Sequence, residues 1–351
     1  MTSTWRRVAS FGAPVMIFIV AVALIVLLIA AAGYDVSRAA QAAVDGAFGS
    51  VFAIVSATLK RTTPILLLGL AVAVAFRAGV LNIGADGQFL VGASTACALA
   101  LAVGSRAGSA VIAAEILVGA AAGGCWAGIS AVLKRRFGVM EVVSTLLLNF
   151  VALNFVGFLV RGPLQEPTGA YPQSSALDPV ARLPLLIDGQ RLHVGFALAV
   201  VLAAGMWWFF RNTAAGFRLR ATGASRTAAE VAGRIDVGSV QFRALVASGA
   251  IAGLAGACEI TGVTFALYEG LSPGYGYTAI AVALLGGLNP LGIVASATLF
   301  GALGAGADAM QRNAGVPSEF AAVAAALVVL GMLALPGLTR LSGALSARST
   351  P

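Results

Sequence analysis

Long apolar runs separated by short polar segments make up most of this 351-residue chain. About ten runs approach the length that a helix needs to cross about 30 Å of hydrocarbon at 1.5 Å per residue. Helices are required there, because they satisfy every backbone N–H and C=O internally. The pattern predicts an all-α polytopic membrane protein with one transmembrane domain over 1–351, embedded over 14–337. The predicted spans, approximate to several residues, are 14–33, 64–78, 87–104, 109–133, 139–160, 193–210, 243–265, 278–290, 291–309 and 318–337.

Short and glycine-interrupted runs leave nine or eleven spans as alternatives. The segment 47–62 is left out because it ends in Leu59-Lys60-Arg61-Thr62, which is polar for a membrane crossing. We expect an interfacial helix there. It leads into the second span, with Pro64 in the first turn, where a missing N–H is tolerated.

Composition supports the membrane assignment and argues against several functions. Hydrophobic residues make up 59% of the chain, charged residues 10%, and the mean hydropathy is +0.95, whereas a soluble domain carries about 25% charged residues. The three cysteines lie in apolar runs, and the single histidine, His193, opens a predicted helix alone. Metal, redox and intramembrane enzyme chemistry are therefore not indicated. Neither Lys60 nor Lys134 follows a glycine-rich turn, so no P-loop is expected and the chain should not hydrolyse ATP.

The placement of basic residues predicts the orientation in the membrane. The net charge of +8 is not gathered into a nucleic-acid-binding surface. Arg6 and Arg7 precede 14–33, which is expected to be an uncleaved first helix. With both termini in the cytoplasm, 14 of the 22 basic residues lie inside, as the positive-inside rule favours.

Two loops are long enough to have a role. The segment 161–192, expected outside, contains five prolines and should be an ordered or extended crossing, not a helix. The segment 212–242, expected inside, should hold a short helix over about 226–232. Ser225 would cap its start, and Gly233 would end it.

Polar residues interrupt the apolar runs at a glycine-rich break over 76–88. Three glycines argue against a continuous helix there, and Asn82, Asp86 and Gln88 bring polar groups to the break. A broken helix is tolerated in a membrane where it is buried in protein or lines a water-filled path. Two alternatives remain open, a re-entrant turn that packs through its glycines and direct contact with a solute.

A second polar set opens the fifth span. Helical spacing places Glu141, Thr145 and Asn149 on one face. Glu141 lies in the first turn, where the helix dipole favours a negative charge, so it is either a helix-start residue or part of a transport site. Thr145 and Asn149 lie deeper and face either another helix or a solute path.

The third polar set lies near the end of the chain. Tyr275 and Tyr277 are either interfacial aromatics or a platform on which a flat solute stacks, and Asn289, before a proline, breaks a helix. The acidic residues in or near spans have no basic partner at an evidently matching depth, which argues against an ion relay. These residues are Glu115, Glu259, Glu269 and Asp308.

Three motifs together resemble a known family. They are the segments Leu81–Gln88, Glu141–Asn149 and Gly276–Gly286. In this order they resemble the bacterial ABC-importer permeases of the branched-chain amino acid and simple-sugar group, and most of all the nucleoside-type permeases linked to a basic membrane lipoprotein. The resemblance covers about 63–336.

The resemblance implies a type II importer fold with about ten helices in the bacterial inner membrane. It implies partnership with a cytoplasmic ATPase that uses ATP and Mg, a second permease that makes a heterodimer, and an extracytoplasmic solute-binding protein. A solute path would involve Asn82, Asp86, Gln88, Thr145, Asn149, Tyr275, Tyr277 and Asn289. An ATPase-coupling helix would involve Arg226, Ala228, Ala229, Glu230, Gly233 and Arg234, although a plain connecting helix is the alternative. The implied solute is a nucleoside; a simple sugar such as ribose, or a stand-alone secondary transporter, remains the alternative.

Overall fold

The computed structural model describes residues 20, 23–104, 108, 110–231, 233–320, 323 and 326. The described chain forms two compact units, one made of residues up to Thr58 together with residues from Ala302 onward, and one made of Leu59–Gly301. Turns of π-helix, Ala53–Leu59 and Ile260–Thr264, adjoin α3 and α10. The helices are α1 (23–31), α2 (Val36–Phe48), α3 (Lys60–Arg77), α4 (Ala85–Val103), α5 (Ala110–Phe137), α6 (Glu141–Arg161), α7 (Val194–Asn212), α8 (Ala214–Ala224), α9 (Arg226–Val231), α10 (Val237–Glu259), α11 (Tyr275–Leu285) and α12 (Pro290–Ala314).

Seven helical segments of the described chain are long and apolar enough to cross a membrane, so the protein is a multi-pass helical membrane protein. α11, over the predicted span 278–290, has 11 residues and a length of about 16 Å, short of a full crossing. The predicted spans 14–33 and 318–337 fall largely outside the described residues, so a total of ten spans stays a prediction. The seven segments are Ala53–Arg77, Ala85–Val103, Ala110–Phe137, Glu141–Arg161, Val194–Asn212, Val237–Thr264 and Pro290–Ala314.

The expectation of an interfacial helix before the second span is wrong. The membrane-crossing segment begins at Ala53 and runs without a break to Arg77, with Pro64 inside it and not in its first turn. Hydropathy misses this start because hydroxyl side chains can satisfy themselves on their own helix. Thr63 Oγ1 donates to the Leu59 carbonyl at 3.2 Å, and the preceding turn is wound as a π-helix, a form that relaxes the regular ladder.

In the unit of Leu59–Gly301, close contact between α5 and α10 forms the centre. Gly119 and Gly123 of α5 lie against Gly249 and Gly253 of α10, and each pair is four residues apart, so one face of each helix carries no side chain there. Lipid tails are as apolar as leucine, so helices in a bilayer gain stability from close backbone packing more than from burial. α4 joins the pair, because its Gly92 lies on Gly253.

The unit that contains α2 packs by the same principle. Gly46 of α2 lies against Ala305 and Ala309 of α12, and Gly306 lies against Ala43. A small apolar core completes this unit, with Ile29, Ala39, Ala42, Ala307, Met310 and Val316 buried.

Contacts gather the ends of several helices in the Leu59–Gly301 unit into one basic end. Lys134 Nζ lies 3.1 Å from Glu141 Oε1, which joins the end of α5 to the start of α6. Gln241 Nε2 of α10 donates to the Ala78 carbonyl at 3.2 Å, and Arg77 Nε donates to the Leu288 carbonyl at 2.7 Å. Basic residues that the positive-inside rule assigns to one side therefore lie together.

The loop 161–192 is ordered without an α-helix, as predicted. Ser174 N and Leu177 N donate to carbonyls of residues 267 and 265, each at 2.7 Å, which fastens the loop to the chain beyond α10. Gln173 Nε2 and Thr168 Oγ1 donate to the Glu166 carboxylate at 2.8 and 2.9 Å. These hydrogen bonds hold the pKa of Glu166 below its usual value.

The replacement Gly253→Val should lower the stability of the folded protein by about 1–3 kcal/mol, because the added side chain meets backbone of α5 that cannot move aside. Thermal unfolding of the purified chain in detergent measures the effect. Gly205→Val is the matched control, since no atom lies within 4 Å of a Cβ at Gly205. Equal melting temperatures for the two variants would contradict the role of the α5–α10 contact.

Candidate transport pathway

The glycine-rich break between α3 and α4 is a tight turn held by amide side chains. Asn82 is fully buried, and its Nδ2 donates to Gln88 Oε1 and to Ser248 Oγ, both at 2.8 Å. Gln88 Nε2 returns a bond to Asn82 Oδ1 at 3.0 Å, and Ser248 Oγ donates to the Ala71 carbonyl at 2.6 Å. The turn is thus hydrogen-bonded to α10 and α3.

The turn also docks on the predicted polar face of α6. Asn149 Oδ1 accepts from Gly87 N at 2.8 Å, and Asn149 Nδ2 donates to the Ile83 carbonyl at 2.8 Å. Thr145 Oγ1 accepts from Ile83 N at 3.3 Å and donates to the Glu141 carbonyl at 2.6 Å. Both side chains therefore supply backbone partners that the broken helix lacks, as a membrane interior requires.

Asp86 joins the turn to the segment before α11. Its Oδ1 accepts from Ser272 Oγ at 2.7 Å and from Gly276 N at 2.8 Å, and the residue is 7% exposed. A Cβ on Gly276 would lie 2.6 Å from the Cβ of Asp86, so glycine is required for this approach. Tyr277 OH accepts from Asn149 Nδ2 at 3.3 Å.

Six predicted pathway residues therefore form one polar network. Asn82, Asp86, Gln88, Thr145, Asn149 and Tyr277 share it. Their contact with a solute stays a prediction, since their hydrogen bonds run to one another and to the backbone.

Of the other two predicted residues, Tyr275 adjoins the network, since its backbone N donates to Ser272 Oγ at 3.1 Å, and Asn289 lies apart from it. The Tyr275 ring stands edge-on to the Phe89 ring at 6.0 Å. Asn289 lies at the basic end, where its Oδ1 accepts from Leu291 N at 3.3 Å as the cap of α12. The predicted helix break at Asn289 is confirmed.

A cavity of about 570 Å³ adjoins the network on its far side from the basic end. Its wall is formed by Leu90, by residues of α6 between 153 and 162, and by the segment from Glu269 to Ser272. Ser272, which donates to Asp86, belongs to both the cavity and the network. The volume falls in the range of small-molecule sites, roughly 300–1,000 Å³.

An ion pair lies in the cavity wall where α6 ends. Arg161 Nη2 is 2.8 Å from Glu269 Oε2. The expectation that Glu269 lacks a basic partner is therefore wrong, and Asp308 likewise has Arg312 at 3.9 Å. Arg312 lies one helical turn from Asp308 on α12, whereas Arg161 and Glu269 are 108 residues apart, so local hydropathy does not resolve the relative depth of that second pair.

Four polar cavity residues were missed as pathway residues in the sequence. They are Asn154, Arg161, Glu269 and Ser272. One signal was present: Asn154 is a lone amide in the middle of an apolar run, and such groups usually face protein or water. In the structure Asn154 is exposed on α6, and its Nδ2 donates to the Phe150 carbonyl of its own helix at 2.8 Å.

The predicted coupling helix is present as α9. Ser225 Oγ accepts from Ala228 N at 3.2 Å, so the predicted cap is confirmed. Of the proposed coupling residues, Arg226, Ala228, Glu230, Gly233 and Arg234 are exposed. Ala229 is 4% exposed and packs inside the chain, so it is not available to a partner surface.

The end of α9 differs in detail from the expectation. The helix is described over Arg226–Val231, residue 232 lies outside the described residues, and Arg234, not Gly233, takes the left-handed conformation with φ 46°. Ile235 N then donates to the Ala229 carbonyl at 3.1 Å, which closes the turn.

His193 has a structural position, as expected. It is buried at the start of α7, where its Nδ1 accepts from Gly195 N at 3.2 Å. Within the described ranges, no group of three or more His, Cys, Asp or Glu side chains could hold a metal ion.

A multi-pass helical protein with a broken helix, a solute-sized cavity and an exposed short helix at the basic end has the features of a membrane transport subunit. The chain belongs to the family described as branched-chain amino acid transport system / permease component, which it matches over residues 54–335. It is accordingly a permease subunit of an ABC importer and not an enzyme itself. Permeases of this kind work with an ATPase, a second permease and a binding protein.

Several curated proteins are similar to the chain. The guanosine ABC transporter permease protein NupP of Bacillus subtilis is 37% identical over 332 residues, 93% of each chain. The glucose ABC transporter permease protein TsgB13 of Haloferax volcanii is 34% identical, over 78% of this chain and 74% of its own. The nucleoside ABC transporter permease protein NupB of Lactococcus lactis is 30% identical, over 78% of this chain and 77% of its own. No solved structure matches the chain significantly.

Replacement of two asparagines on α6 should have different effects, one on the stability of the protein and the other on transport. Asn149→Leu leaves the buried Gly87 N and Ile83 carbonyl without partners and should lower stability by about 1–3 kcal/mol per lost partner. Asn154→Leu removes an exposed amide and should leave the melting temperature unchanged while it slows solute uptake. Thermal unfolding and uptake, both measured on each variant, test this. Normal uptake by Asn154→Leu would contradict the assignment of the cavity to the solute path.

Proposed function

We propose that this permease imports nucleosides. The observation that carries the proposal is the similarity along almost the whole length to a permease named for guanosine. The cavity beside α6 supports it, since its volume of about 570 Å³ suits a solute of this size. The glucose-permease relative keeps import of a simple sugar as the second candidate.

The chemistry of the cavity wall favours a neutral solute. Among the described residues of the wall, the one positive and the one negative side chain, Arg161 and Glu269, pair with each other. What remains for a solute is hydroxyl and amide groups, from Ser272 and Asn154, on an apolar background. Such a surface suits hydroxyl-rich, uncharged molecules, and weak contacts of this kind do not delay release.

The proposed path runs between this chain and the second permease of a heterodimer. α6 carries a large apolar surface beside the cavity, where an exposed Asn154 needs protein or water opposite it. A solute held between two permeases would meet this surface from both sides. The α6 residues more than half exposed are Leu147, Phe150, Val151, Leu153 and Phe158.

We further propose ten spans in a type II importer fold in the bacterial inner membrane, with 1–351 as one transmembrane domain and both termini in the cytoplasm. The basic end then faces the cytoplasm, as the positive-inside rule favours. The loop 161–192 and the segment 268–277 face outward, where a solute-binding protein would dock. ATP and Mg act on the partner ATPase.

Coupling would run through α9. Its exposed residues, which include Ala228 and Glu230, can enter a groove on the ATPase, while the buried Ala229 holds the helix to this chain. α9 follows α8, and α8 packs closely where Gly223 touches the backbone of Arg77 and Gly79. Movement of α9 is therefore transmitted to the end of α3 and the start of the broken turn.

Uptake of labelled guanosine and labelled ribose tests the solute. Cells that lack this gene should lose guanosine uptake and keep ribose uptake, and restoring the gene should restore it. The same loss should follow when only the ATPase subunit is disabled. If only ribose uptake were lost, the solute would be a sugar and not a nucleoside. If gene-dependent uptake persisted without the ATPase, ATP-driven import would be rejected.

The replacement Ala228→Trp should abolish uptake while the protein remains folded and inserted, because a bulky side chain on the exposed face blocks entry to a groove. Ala215→Trp on α8, also exposed, is the matched control and should transport normally. Uptake, membrane abundance and co-purification of the ATPase are measured for both. Full uptake with Ala228→Trp would reject α9 as the coupling helix.

A further inference from the structure

Three arginines converge on a second cavity, at the basic end of the Leu59–Gly301 unit. The cavity has a volume of about 320 Å³ and lies where α3 and α7 end and α12 begins. None of its described lining residues is acidic. The lining residues are Arg77, Trp207, Phe210, Arg211, Arg220 and Asn289, with Pro290 beside them.

The protein holds two of these guanidinium groups in fixed positions. Arg77 Nε donates to the Leu288 carbonyl at 2.7 Å, and its guanidinium lies 4.7 Å from the centre of the Phe210 ring. Arg211 lies 4.9 Å from the centre of the Trp207 ring. Cation–π contacts orient a guanidinium without neutralising its charge. Among the described residues, none of the three arginines forms an ion pair with a carboxylate.

A helix start adds further positive potential. α12 begins at Pro290 and is 25 residues long, with Asn289 at its cap. The N-terminal end of a long helix carries about half a positive charge. Three like charges and a helix start around one cavity repel one another, and an anion between them removes that repulsion.

The geometry points to binding of a phosphate group presented by the headgroup of an anionic phospholipid. Arginine pairs with phosphate through two parallel N–H bonds, so guanidinium groups suit this ligand better than a single carboxylate. The cavity lies at the ends of membrane-crossing helices, where lipid headgroups are found. In the proposed orientation this end faces the cytoplasm, and basic pockets between helices on the cytoplasmic side bind anionic lipids. Beside it, Trp208 is 57% exposed, which offers an apolar surface to an acyl chain.

Native mass spectrometry of the purified full chain in detergent tests the proposal. The probes are dioctanoyl phosphatidylglycerol, dioctanoyl phosphatidylcholine and soluble glycerol phosphate. The test variant is Arg211→Gln/Arg220→Gln, which leaves Arg77 and its structural contacts intact. The control, Arg136→Gln/Arg218→Gln, removes the same charge from exposed arginines of the same end that do not line the cavity.

Phosphatidylglycerol should bind the parent chain and the control alike, and the test variant at least about tenfold more weakly, because charge-assisted hydrogen bonds to phosphate are lost. Arg211→Lys/Arg220→Lys should recover part of the affinity, which excludes misfolding as the cause. Phosphatidylcholine should bind weakly to all variants.

Three results would overturn the proposal. Equal weakening in the test and control variants would mean that charge acts without a site. Equal binding of soluble glycerol phosphate and phosphatidylglycerol would mean that the cavity binds a phosphate group but does not recognise a phospholipid. Unchanged lipid binding, with loss only of co-purified ATPase in the test variant, would assign the arginines to that protein partner.

Discussion

Direct backbone contact between α5 and α10 is the constraint on which the rest of the structure depends. A bilayer offers no hydrophobic gain for bringing apolar helices together, so the contact relies on the short distance that Gly119, Gly123, Gly249 and Gly253 allow. Ser248 is the neighbour of Gly249, and the same close approach places its hydroxyl between the Ala71 carbonyl and Asn82. The polar network at the broken helix is thus positioned by a contact that contains no polar side chain.

The free energies needed to break its contacts divide the candidate pathway into a part that should stay rigid and a part that can open. Breaking the network would expose several buried donors and acceptors, each worth about 1–3 kcal/mol when left unpaired. The Arg161–Glu269 pair, with side chains 67% and 36% exposed, contributes no more than about 1 kcal/mol. Conformational change during transport should therefore carry the turn, the start of α4 and the neighbouring part of α6 as one body, while the ion pair at the end of α6 opens and closes. Such movement does not require the broken helix to unfold.

Much of the fold follows from the sequence, because in a bilayer the length of an apolar run directly indicates whether a helix can cross the membrane. The break within 76–88, the ordered loop 161–192 and the cap at Ser225 were all predicted from local chemistry. Two kinds of information were missing. Lys60, Arg61 and Thr62 made the end of the segment 47–62 look polar, although the helix runs on through it and the Thr62 side chain is buried there. The pairing of Arg161 with Glu269 depends on the relative depth of segments 108 residues apart, which no local pattern contains.

The arginines at the basic end are one sequence signal with two physical consequences, the orientation of the protein in the membrane and the convergence of positive charge on one cavity. Orientation in the membrane depends only on how many basic residues lie on each side, so it is satisfied equally well by solvated, well-separated side chains. Arg77, Arg211 and Arg220 come from three different segments and nevertheless face one cavity, an arrangement that raises electrostatic energy unless a negative group is present. Sidedness explains their presence at this end of the protein, but it does not explain their convergence. The convergence requires a separate cause, and an anion in the cavity supplies one.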